Sequence, residues 1–369
     1  MKVSKIYVKN INTNYQIIIG NGVLGLLNKQ LKKLCPKTKK IGLIFDKNVP
    51  KYFKNKIKKN LKSYKLLVYE FLPSENLKSF KKANNLLENL LKENLSRSDT
   101  LIAVGGGIIG DFTSFVASIY KRGVNFINVP STLLAQVDSS IGGKTGVNSI
   151  RGKNLIGTFY QPKIVLSELS ILKSLSKKDL VCGFAEILKH AIIKDKKFFE
   201  NLLKNSDKIF DSFNFDTFRN IITKSCKIKL FFVNKDEKES HERMILNFGH
   251  TFAHGIEAAN RYSRKINHGE AVLIGMILAS RLSFLKKICS KETLNKVEKI
   301  YSCNKLLQKY TSYLNKKDIN KIVGFMMVDK KNYDKKISLI LLKRIGKTTK
   351  PGDYRITPLE IKNNLRKII

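Results

Sequence analysis

The chain has 369 residues, of which 43% are hydrophobic, and a formal net charge of +41. This length and composition predict a globular protein with room for two domains and exclude a disordered chain. No apolar run reaches the roughly 18 residues that a membrane span needs, and MKVSKIYVKN at the start lacks the apolar stretch of a signal peptide. Five cysteines without a CxxC pair fit reduced thiols and a cytoplasmic location.

The positive charge has two interpretations. Lysine neutralises phosphate and releases counterions, so nucleic-acid binding is one of them. The lysine excess is spread along the whole chain, however, as in KYFKNKIKKNLKSYK and NKVEKIYSCNKLLQKY. This distribution favours compositional drift, so we expect no specific nucleic-acid partner and no membrane partner. A general attraction for small anions remains under either interpretation.

In chain order, the first half alternates β-rich runs with helical stretches such as FKKANNLLENLLKEN. Strands are predicted at residues 40–46, 65–71, 100–107 and 125–132. After about residue 175 the apolar spacing is helical, as in KDLVCGFAEILKHAIIK and GEAVLIGMILASRLSFLKK. We therefore predict an α/β domain with a parallel, Rossmann-like sheet over residues 1–177 and a mostly helical domain over residues 178–369. The ligand is expected in the cleft between them.

A glycine-rich segment, IAVGGGIIGDF, joins the third predicted strand to a helix. Its glycines are Gly105, Gly106, Gly107 and Gly110. Glycine lets the backbone approach an anion closely, and a helix N-terminus offers free N–H groups. The GxGxxG pattern is weak alone and also fits a tight turn. Asp46 at the end of an earlier strand, with Glu75 and Lys78 after the next, favours dinucleotide binding, because an acid there can accept a hydrogen bond from ribose.

The segment at residues 129–162 is dense with small and polar residues. Among its glycines lie Asp138, Lys144, Lys153 and Asn154. A core does not accept so many polar groups without partners, and a solvent loop is rarely this long. We interpret the segment as a functional loop lining a cleft. Its two lysines suit an anionic substrate, to which Arg122 in YKRGV can add a bidentate phosphate contact.

Three of the five histidines lie close together, in ILNFGHTFAHGIEA and NHGEAV. Helical spacing places Asn247, His250 and His254 on one stripe, opposite an apolar stripe. Two histidines four residues apart can chelate zinc, although the missing HExxH glutamate argues against a metalloprotease. GFAEILKHAII supplies an acid, Glu186, for a His/His/Glu zinc site with an open water position. Spacing alone leaves His250, His254 and His268 equal as candidate ligands.

Together these motifs resemble the 3-dehydroquinate synthase family of the shikimate pathway. GGGIIGD, VPSTLLAQVDSSIGGKTGVN, GKNLIGTFYQP, GFAEILKH, DEKESHERMILNFGHTFAHGIEA and HGEAV match in the family's order, from about residue 40 to MMVDKK and beyond. The resemblance implies an NAD-binding α/β domain followed by a helical metal domain. It also implies conversion of 3-deoxy-D-arabino-heptulosonate 7-phosphate, an anionic sugar phosphate, to 3-dehydroquinate and phosphate. The implied route is transient oxidation of the substrate by NAD, β-elimination, re-reduction and aldol closure.

The resemblance also implies roles for individual residues. The divalent metal, zinc or cobalt, is implied on Glu186, His250 and His268, and His254 is implied beside the substrate. NAD positions are matched by Asp46, Glu75, Lys78, Gly106, Gly107, Asp111, Thr132 and Ser174. Gly105, Ser131, Asp138, Lys144 and Lys153 are further expected along the cofactor site. Substrate positions are matched by Asp138, Lys144, Asn154, Lys189, Lys229, Arg243 and Asn247.

Further roles are implied for single residues. Arg122 matches an arginine that reaches the phosphate site of the partner subunit, which implies a homodimer. Glu239 matches another active-site acid. Lys330 or Lys331 is expected near the phosphate, and spacing does not choose between them. His190 stands where an aromatic residue is common in the family. It is a spare candidate ligand, but we expect a structural role for it.

Three other functions remain open from the sequence. Another sugar phosphate cyclase of the same superfamily would share the metal and NAD sites, but Lys229 and Arg243 favour a substrate with a carboxylate. A metal-dependent polyol dehydrogenase would give net NAD reduction, and it leaves the phosphate-binding lysines without a role. A nucleic-acid-binding protein is suggested by the charge alone.

Overall fold

The computed structural model describes residues 2–9, 14–206, 208–210, 213–260, 266–308, 318–327 and 336–369. The chain divides into two compact units, Met1–Asp179 with Asn214–Leu230 and Leu180–Phe213 with Phe231–Ile369. The division is discontinuous because one helix, α7 (Phe215–Lys235), begins in the first unit and ends in the second. The sequence predicts one boundary after residue 177, between two domains that are each continuous in the chain. That boundary stays a prediction.

The first unit is built on a seven-stranded sheet. Its strands are β1 (Val3–Lys9), β2 (Asn14–Gly20), β3 (Lys40–Asp46), β4 (Lys65–Phe71), β5 (Thr100–Gly105), β6 (Asn125–Pro130) and β9 (Ile164–Glu168). Their order in the sheet is β1-β2-β9-β6-β5-β3-β4. β1 and β2 pair antiparallel, and the other neighbouring strands are parallel. The predicted parallel α/β sheet is confirmed. A separate hairpin consists of β7 (Val147–Ser149) and β8 (Gly152–Ile156).

The helices of the first unit cover the sheet and build its core. They are α1 (Leu27–Leu34), α2 (Lys51–Asn60), α3 (Phe80–Lys92) and α4 (Gly107–Ile119). Leu86 and Leu90 of α3 and Phe112 of α4 belong to one buried cluster with Ile44 and Leu101 of the sheet. Because burial of one such side chain is worth about 1.5–3 kcal/mol, this cluster stabilises the packing of α3 and α4 on the sheet.

The second unit is mostly helical, as predicted. Its helices are α5 (Lys177–Lys194), α6 (Lys196–Lys204), α8 (His250–Ala259), α9 (His268–Leu285), α10 (Lys291–Cys303), α11 (Lys305–Gln308), α12 (Ile319–Met327) and α13 (Pro358–Ile368). The first three residues of α5 belong to the first unit. Two short antiparallel pairs accompany them. These are β10 (Ile337–Ser338) with β13 (Arg355–Ile356) and β11 (Leu342–Arg344) with β12 (Lys347–Thr348).

Helix α9 is the central helix of the second unit. Within the described part of the chain it is the one helix long and apolar enough to cross a membrane, but 78% of it is buried inside the structure. A helix that is apolar all round and buried by protein is typical of a large core. Asn267 begins α9 with a capping box, in which its side chain accepts from the Glu270 N–H and Glu270 accepts from the Asn267 N–H. This cap fixes where the helix, and therefore His268, starts.

Candidate functional site

In the second unit, three helices bring Glu186, His250 and His268 together. Glu186 lies in the middle of α5, and the two histidines are the first residues of α8 and α9. Their ligand atoms lie within 4.8 Å of one another. The Nε2 atoms of His250 and His268 are 3.4 and 3.9 Å from Glu186 Oε1. A carboxylate and two imidazoles at such spacing are the donor set of a catalytic zinc site that keeps a position open.

Glycines allow these helices to approach so closely. A Cβ atom on Gly269, next to His268, would lie 2.3 Å from the Cα of Cys182 on α5. On the other side, a Cβ atom on Gly275 of α9 would lie 2.1 Å from the carbonyl oxygen of Gly249, which precedes α8. Since protein interiors are close-packed, any larger residue at these contacts must push the helices apart. The glycines therefore set the distance between the three candidate ligands.

The electrostatics of this group also fit a cation. Glu186 is 1% exposed, and neither carboxylate oxygen has a hydrogen bond of ordinary geometry to the described residues. Burial alone would raise its pKa, but the adjacent Lys189 ammonium together with His250 and His190 lowers the pKa well below the usual range. Burial and the Lys189 charge lower the pKa of His250 to about 4. The carboxylate is therefore ionised and this imidazole neutral at pH 7, which are the forms that bind a metal.

His254 is not part of this ligand group. Its ring is 5.7 Å from that of His250, about as far as the ring of His268 at 5.5 Å, but its side chain is exposed. Among the described residues, the ligand cluster that contains His250 includes His268 and not His254. The geometry therefore separates candidates that helical spacing left equal.

A tight loop after α7 carries the other predicted residues of the second unit. Asp236 accepts hydrogen bonds from the backbone N–H groups of Ser240, His241 and Arg243 at 3.0, 2.7 and 3.1 Å. Burial would raise the pKa of Asp236, but these bonds together lower it. The loop leads Arg243 into a buried position. Asp236 had no predicted role, and its only signal in the sequence is an acid at a helix end followed by a polar run.

Two contacts fix side chains within this loop. The Nη1 of Arg243 donates to the carbonyl oxygen of Glu237 at 2.5 Å. Asn247 Nδ2 donates to Glu239 Oε1 at 2.8 Å. Glu239 has a positive φ of 58°, a conformation that costs energy in a residue other than glycine and is often kept at functional sites. The loop therefore presents Glu239, Arg243 and Asn247 in a defined arrangement.

In the first unit, the glycine loop lies between β5 and α4, as predicted. A Cβ atom on Gly105 would lie 2.9 Å from the Cβ of Asp46, and one on Gly107 would lie 2.9 Å from Ser139 Oγ. Thr132 lies against Gly106, where an added Cβ would be 3.2 Å from Thr132 Cγ2. Burial raises the pKa of Asp46, against hydrogen bonds from the backbone of Asn48 and Gly106. These neighbours leave room for backbone only, as a pyrophosphate-binding turn requires.

A polar network joins the ends of other strands to the β7–β8 hairpin. Lys78 is 4% exposed, and its ammonium donates to Asp111 Oδ2 at 2.6 Å and to Asn154 Oδ1 at 2.5 Å. Lys153 donates to Glu75 Oε1 at 2.9 Å. Burial raises the pKa of Asp111, against the opposing charge of Lys78. Five predicted residues are thus brought into one region of hydrogen-bonded polar groups.

Asp138 and Lys229 form a second polar pair in the first unit. Asp138 lies in a turn of π-helix, Ala135–Ser139, a form that is rare and frequent at functional sites. The Lys229 ammonium donates to the Asp138 carboxylate and to its carbonyl oxygen, both at 2.6 Å. Lys229 is buried, so this contact holds its charge in place.

The remaining predicted residues lie outside the networks described above. Ser131 donates its backbone N–H to the Gly105 carbonyl at 2.9 Å. Ser174 Oγ donates to the Ile171 carbonyl within its own 3-10 turn. Lys144 and Arg122 are exposed, and Arg122 has a positive φ of 63°. His190 is fully buried. Lys330 and Lys331 lie outside the described residues.

Comparison with known proteins identifies the family. The family model for the N-terminal domain of 3-dehydroquinate synthase matches residues 68–182, and the model for its C-terminal domain matches residues 183–332. The chain belongs to the 3-dehydroquinate synthase family. A 3-dehydroquinate synthase of Pelagibacter ubique (strain HTCC1062) is 47% identical over 94% of both chains. That of Alkaliphilus metalliredigens (strain QYMF) is 38% identical over 97% of both.

Solved structures share the fold of this 3-dehydroquinate synthase family member. A 2-deoxy-scyllo-inosose synthase complexed with carbaglucose-6-phosphate, NAD+ and Co2+ has a TM-score of 0.86, at 23% identity over 99% of both chains. ValA, a 2-epi-5-epi-valiolone synthase from Streptomyces hygroscopicus subsp. jinggangensis 5008 with NAD+ and Zn2+ bound, has a TM-score of 0.84, at 22% identity over 100% of this chain and 99% of that one. These likenesses confirm the predicted fold class.

Proposed function

We propose that the chain is a 3-dehydroquinate synthase, a carbon–oxygen lyase that converts 3-deoxy-D-arabino-heptulosonate 7-phosphate to 3-dehydroquinate and phosphate. The observation that carries the proposal is the Glu186–His250–His268 group, with a buried carboxylate and two partly exposed imidazoles, in a chain of this family. The proposal includes a role in the shikimate pathway of aromatic amino acid biosynthesis and a cytoplasmic location.

The second unit would hold a divalent metal, zinc or cobalt, on Glu186, His250 and His268. Bound there, the metal would supply Lewis acidity to the hydroxyl groups of the substrate. Lys189 lies against Glu186 and would place its ammonium beside the same hydroxyls. Glu239 and Asn247, joined by their hydrogen bond, would orient the substrate from the neighbouring loop.

The first unit would bind NAD at its glycine loop. The chemistry that NAD would supply there is reversible hydride transfer, with no net formation of NADH. Gly106 and Gly107 would admit the pyrophosphate to the N-terminus of α4, and Asp46 would accept a hydrogen bond from ribose. Other positions proposed for the cofactor are Glu75, Lys78, Gly105, Asp111, Ser131, Thr132, Asp138, Lys144, Lys153 and Ser174.

Cationic residues would bind the two anionic ends of the substrate. Lys229, held by Asp138, and Arg243, held by its loop, would bind the carboxylate. The phosphate would be bound by Lys144, Asn154 and His254, with Arg122 supplied by the other subunit of a homodimer. Because the substrate's own phosphate can carry protons, the main work of these residues would be positioning and charge stabilisation.

The test is a turnover assay on the purified protein. The protein is mixed with 3-deoxy-D-arabino-heptulosonate 7-phosphate, catalytic NAD and zinc, and phosphate and 3-dehydroquinate are measured with a chelator control. We expect metal-dependent formation of both products without accumulation of NADH. Absence of turnover from folded, metal-loaded protein overturns the proposal, and turnover of carboxylate-free sugar phosphates would then identify another cyclase.

A further inference from the structure

Glu257 of α8 contacts one of the proposed metal ligands but is not in the ligand group. Its Oε2 atom lies 3.3 Å from Nδ1 of His268. The Glu257 side chain is 13% exposed, so it is largely shielded from water. Glu257 and His268 come from different helices, and the contact therefore depends on the packing of α8 against α9.

The two candidate histidines are oriented alike. Each has Nε2 directed at Glu186 Oε1 and Nδ1 directed at a different oxygen. For His250 that oxygen is the backbone carbonyl of Phe248, at 3.3 Å. For His268 it is the Glu257 carboxylate. An oxygen that accepts from Nδ1–H keeps the lone pair on Nε2, where a metal can use it.

We propose that Glu257 is a positioning residue for metal binding, which holds His268 in the Nδ1–H tautomer with Nε2 turned to the metal. The inference rests on the metal site of the proposed function. A neutral imidazole without this acceptor can place its proton on Nε2 instead, and that form cannot bind a metal through Nε2. The negative charge of Glu257 also makes Nε2 a more basic ligand, as in carboxylate–histidine–zinc groups.

The proposal gives two variants different expected effects. Glu257→Ala removes both the acceptor and the charge, and partners of this kind are worth about 10–100-fold in metal affinity. Glu257→Gln keeps an amide oxygen that can accept from Nδ1–H and loses only the charge. We therefore expect Glu257→Gln to bind metal more weakly than the wild-type protein and more tightly than Glu257→Ala.

The experiment measures the zinc dissociation constant of the metal-free full-length protein by competition with a chromophoric chelator. Glu298→Gln is the matched control, because Glu298 is another partly buried glutamate of the second unit, paired with Arg281 at 2.9 Å. It should bind zinc like the wild-type protein. Nitrogen NMR of ¹⁵N-histidine-labelled protein reports the His268 tautomer, which should be Nδ1–H in the wild-type protein and mixed in Glu257→Ala.

The outcomes separate this inference from the proposed function. If the wild-type protein binds no zinc with one-to-one stoichiometry, the metal site itself is wrong. If the wild-type protein binds zinc and folded Glu257→Ala binds it equally well, Glu257 has no positioning role. Should Glu257→Ala fail to fold, the near-isosteric Glu257→Gln decides: a dissociation constant equal to that of Glu298→Gln overturns the inference.

Discussion

The two units build their candidate sites in different ways. In the second unit, Glu186, His250 and His268 come from three helices whose separation is set by glycine contacts. In the first unit, the polar groups around Lys78 come from the loop after β4, from α4 and from the β7–β8 hairpin, and hydrogen bonds among them hold the arrangement. Close packing tolerates no added volume, whereas a hydrogen-bond network fails when one member loses its charge. The metal-ligand group of the second unit should therefore respond to residue size, and the network around Lys78 in the first unit to residue polarity.

The largest effect is expected from the ligands of the second unit. His268→Ala removes one of three ligands and should lower zinc affinity more than about 100-fold. Loss of a residue that only hydrogen-bonds to a ligand lowers metal affinity by about 10–100-fold. Activity should be lost with the metal. His254→Ala is the matched control, because it should keep full zinc content while losing activity. Zinc content by atomic absorption checks both, and stoichiometric zinc in the His268→Ala variant would contradict the ligand assignment.

A single methyl group should disturb the same site. Gly269→Ala places a Cβ atom 2.3 Å from the Cα of Cys182, so α9 must move away from α5. Overpacking of this kind costs about 1–3 kcal/mol, and it should also weaken zinc binding. Gly324→Ala on α12 is the control, because nothing lies within 4 Å of its added Cβ. Urea unfolding compares the two variants, and equal midpoints would contradict the packing argument.

In the first unit, removal of one charge should have a similar effect on stability but none on the metal. Lys78→Met leaves the Asp111 carboxylate without its cation, and breaking such a partly buried pair should cost about 1–3 kcal/mol. The KM for NAD should rise while zinc affinity stays unchanged. Lys65→Met is the control, because its pair with Glu93 is exposed and worth about 0–1 kcal/mol. Altered zinc binding in Lys78→Met would break the comparison between the units.

The smallest expected effect concerns the loop that carries Arg243. Asp236→Ala removes the acceptor of three backbone N–H groups, and we expect about a tenfold rise in the substrate KM from a loss of about 1–2 kcal/mol. The KM for NAD and the zinc content should not change. Asp353→Ala is the control, because this exposed acid accepts from the N–H of Lys350 in another turn. A substrate KM equal to that of the control would remove Asp236 from the site.

The same loop gives a pH dependence with a defined sign. The pKa of Asp236 is lower in the folded protein than in the unfolded chain, where an aspartate has a pKa of about 3.9. Its contribution to stability is therefore complete above that value and is lost as the pH falls through the lowered folded pKa. The difference in unfolding free energy between wild type and Asp236→Ala should accordingly shrink in acid. A difference that grows in acid would contradict the assignment.

Local sequence predicted four neighbouring strands of the sheet well, β6, β5, β3 and β4. β3 is a buried apolar run and has the predicted bounds. β4 also has the predicted bounds, although it lies at the sheet edge with one buried residue. β5 and β6 end two residues before the predicted ends, since Gly106 already caps α4 and Ser131 bonds back to Gly105. The other three strands of this sheet, β1, β2 and β9, were not predicted. β1 lies at the sheet edge and carries Lys5 and Lys9 among its seven residues, and β9 has only five residues.

The sequence predicted a site residue only where the local motif around that residue is enough to indicate its role. Glu186 and the histidines were found from their motifs, but His250 and His254 share one helical stripe, and their separation depends on where α5 and α9 lie. Asp236 and Glu257 were missed for the same reason. Their partners are backbone groups of a folded loop and a histidine on another helix, which no local pattern encodes.

The burial of α9 links metal supply to folding. His268 is the first residue of the helix at the centre of the second unit, so global unfolding separates it from the other two ligands. A metal bound at this site therefore stabilises the native state by mass action. That stabilisation is about 2.7 kcal/mol when free metal is about 100 times its dissociation constant. Metal depletion should then shorten the lifetime of the folded chain, through proteolysis of the opened form, as well as stop turnover.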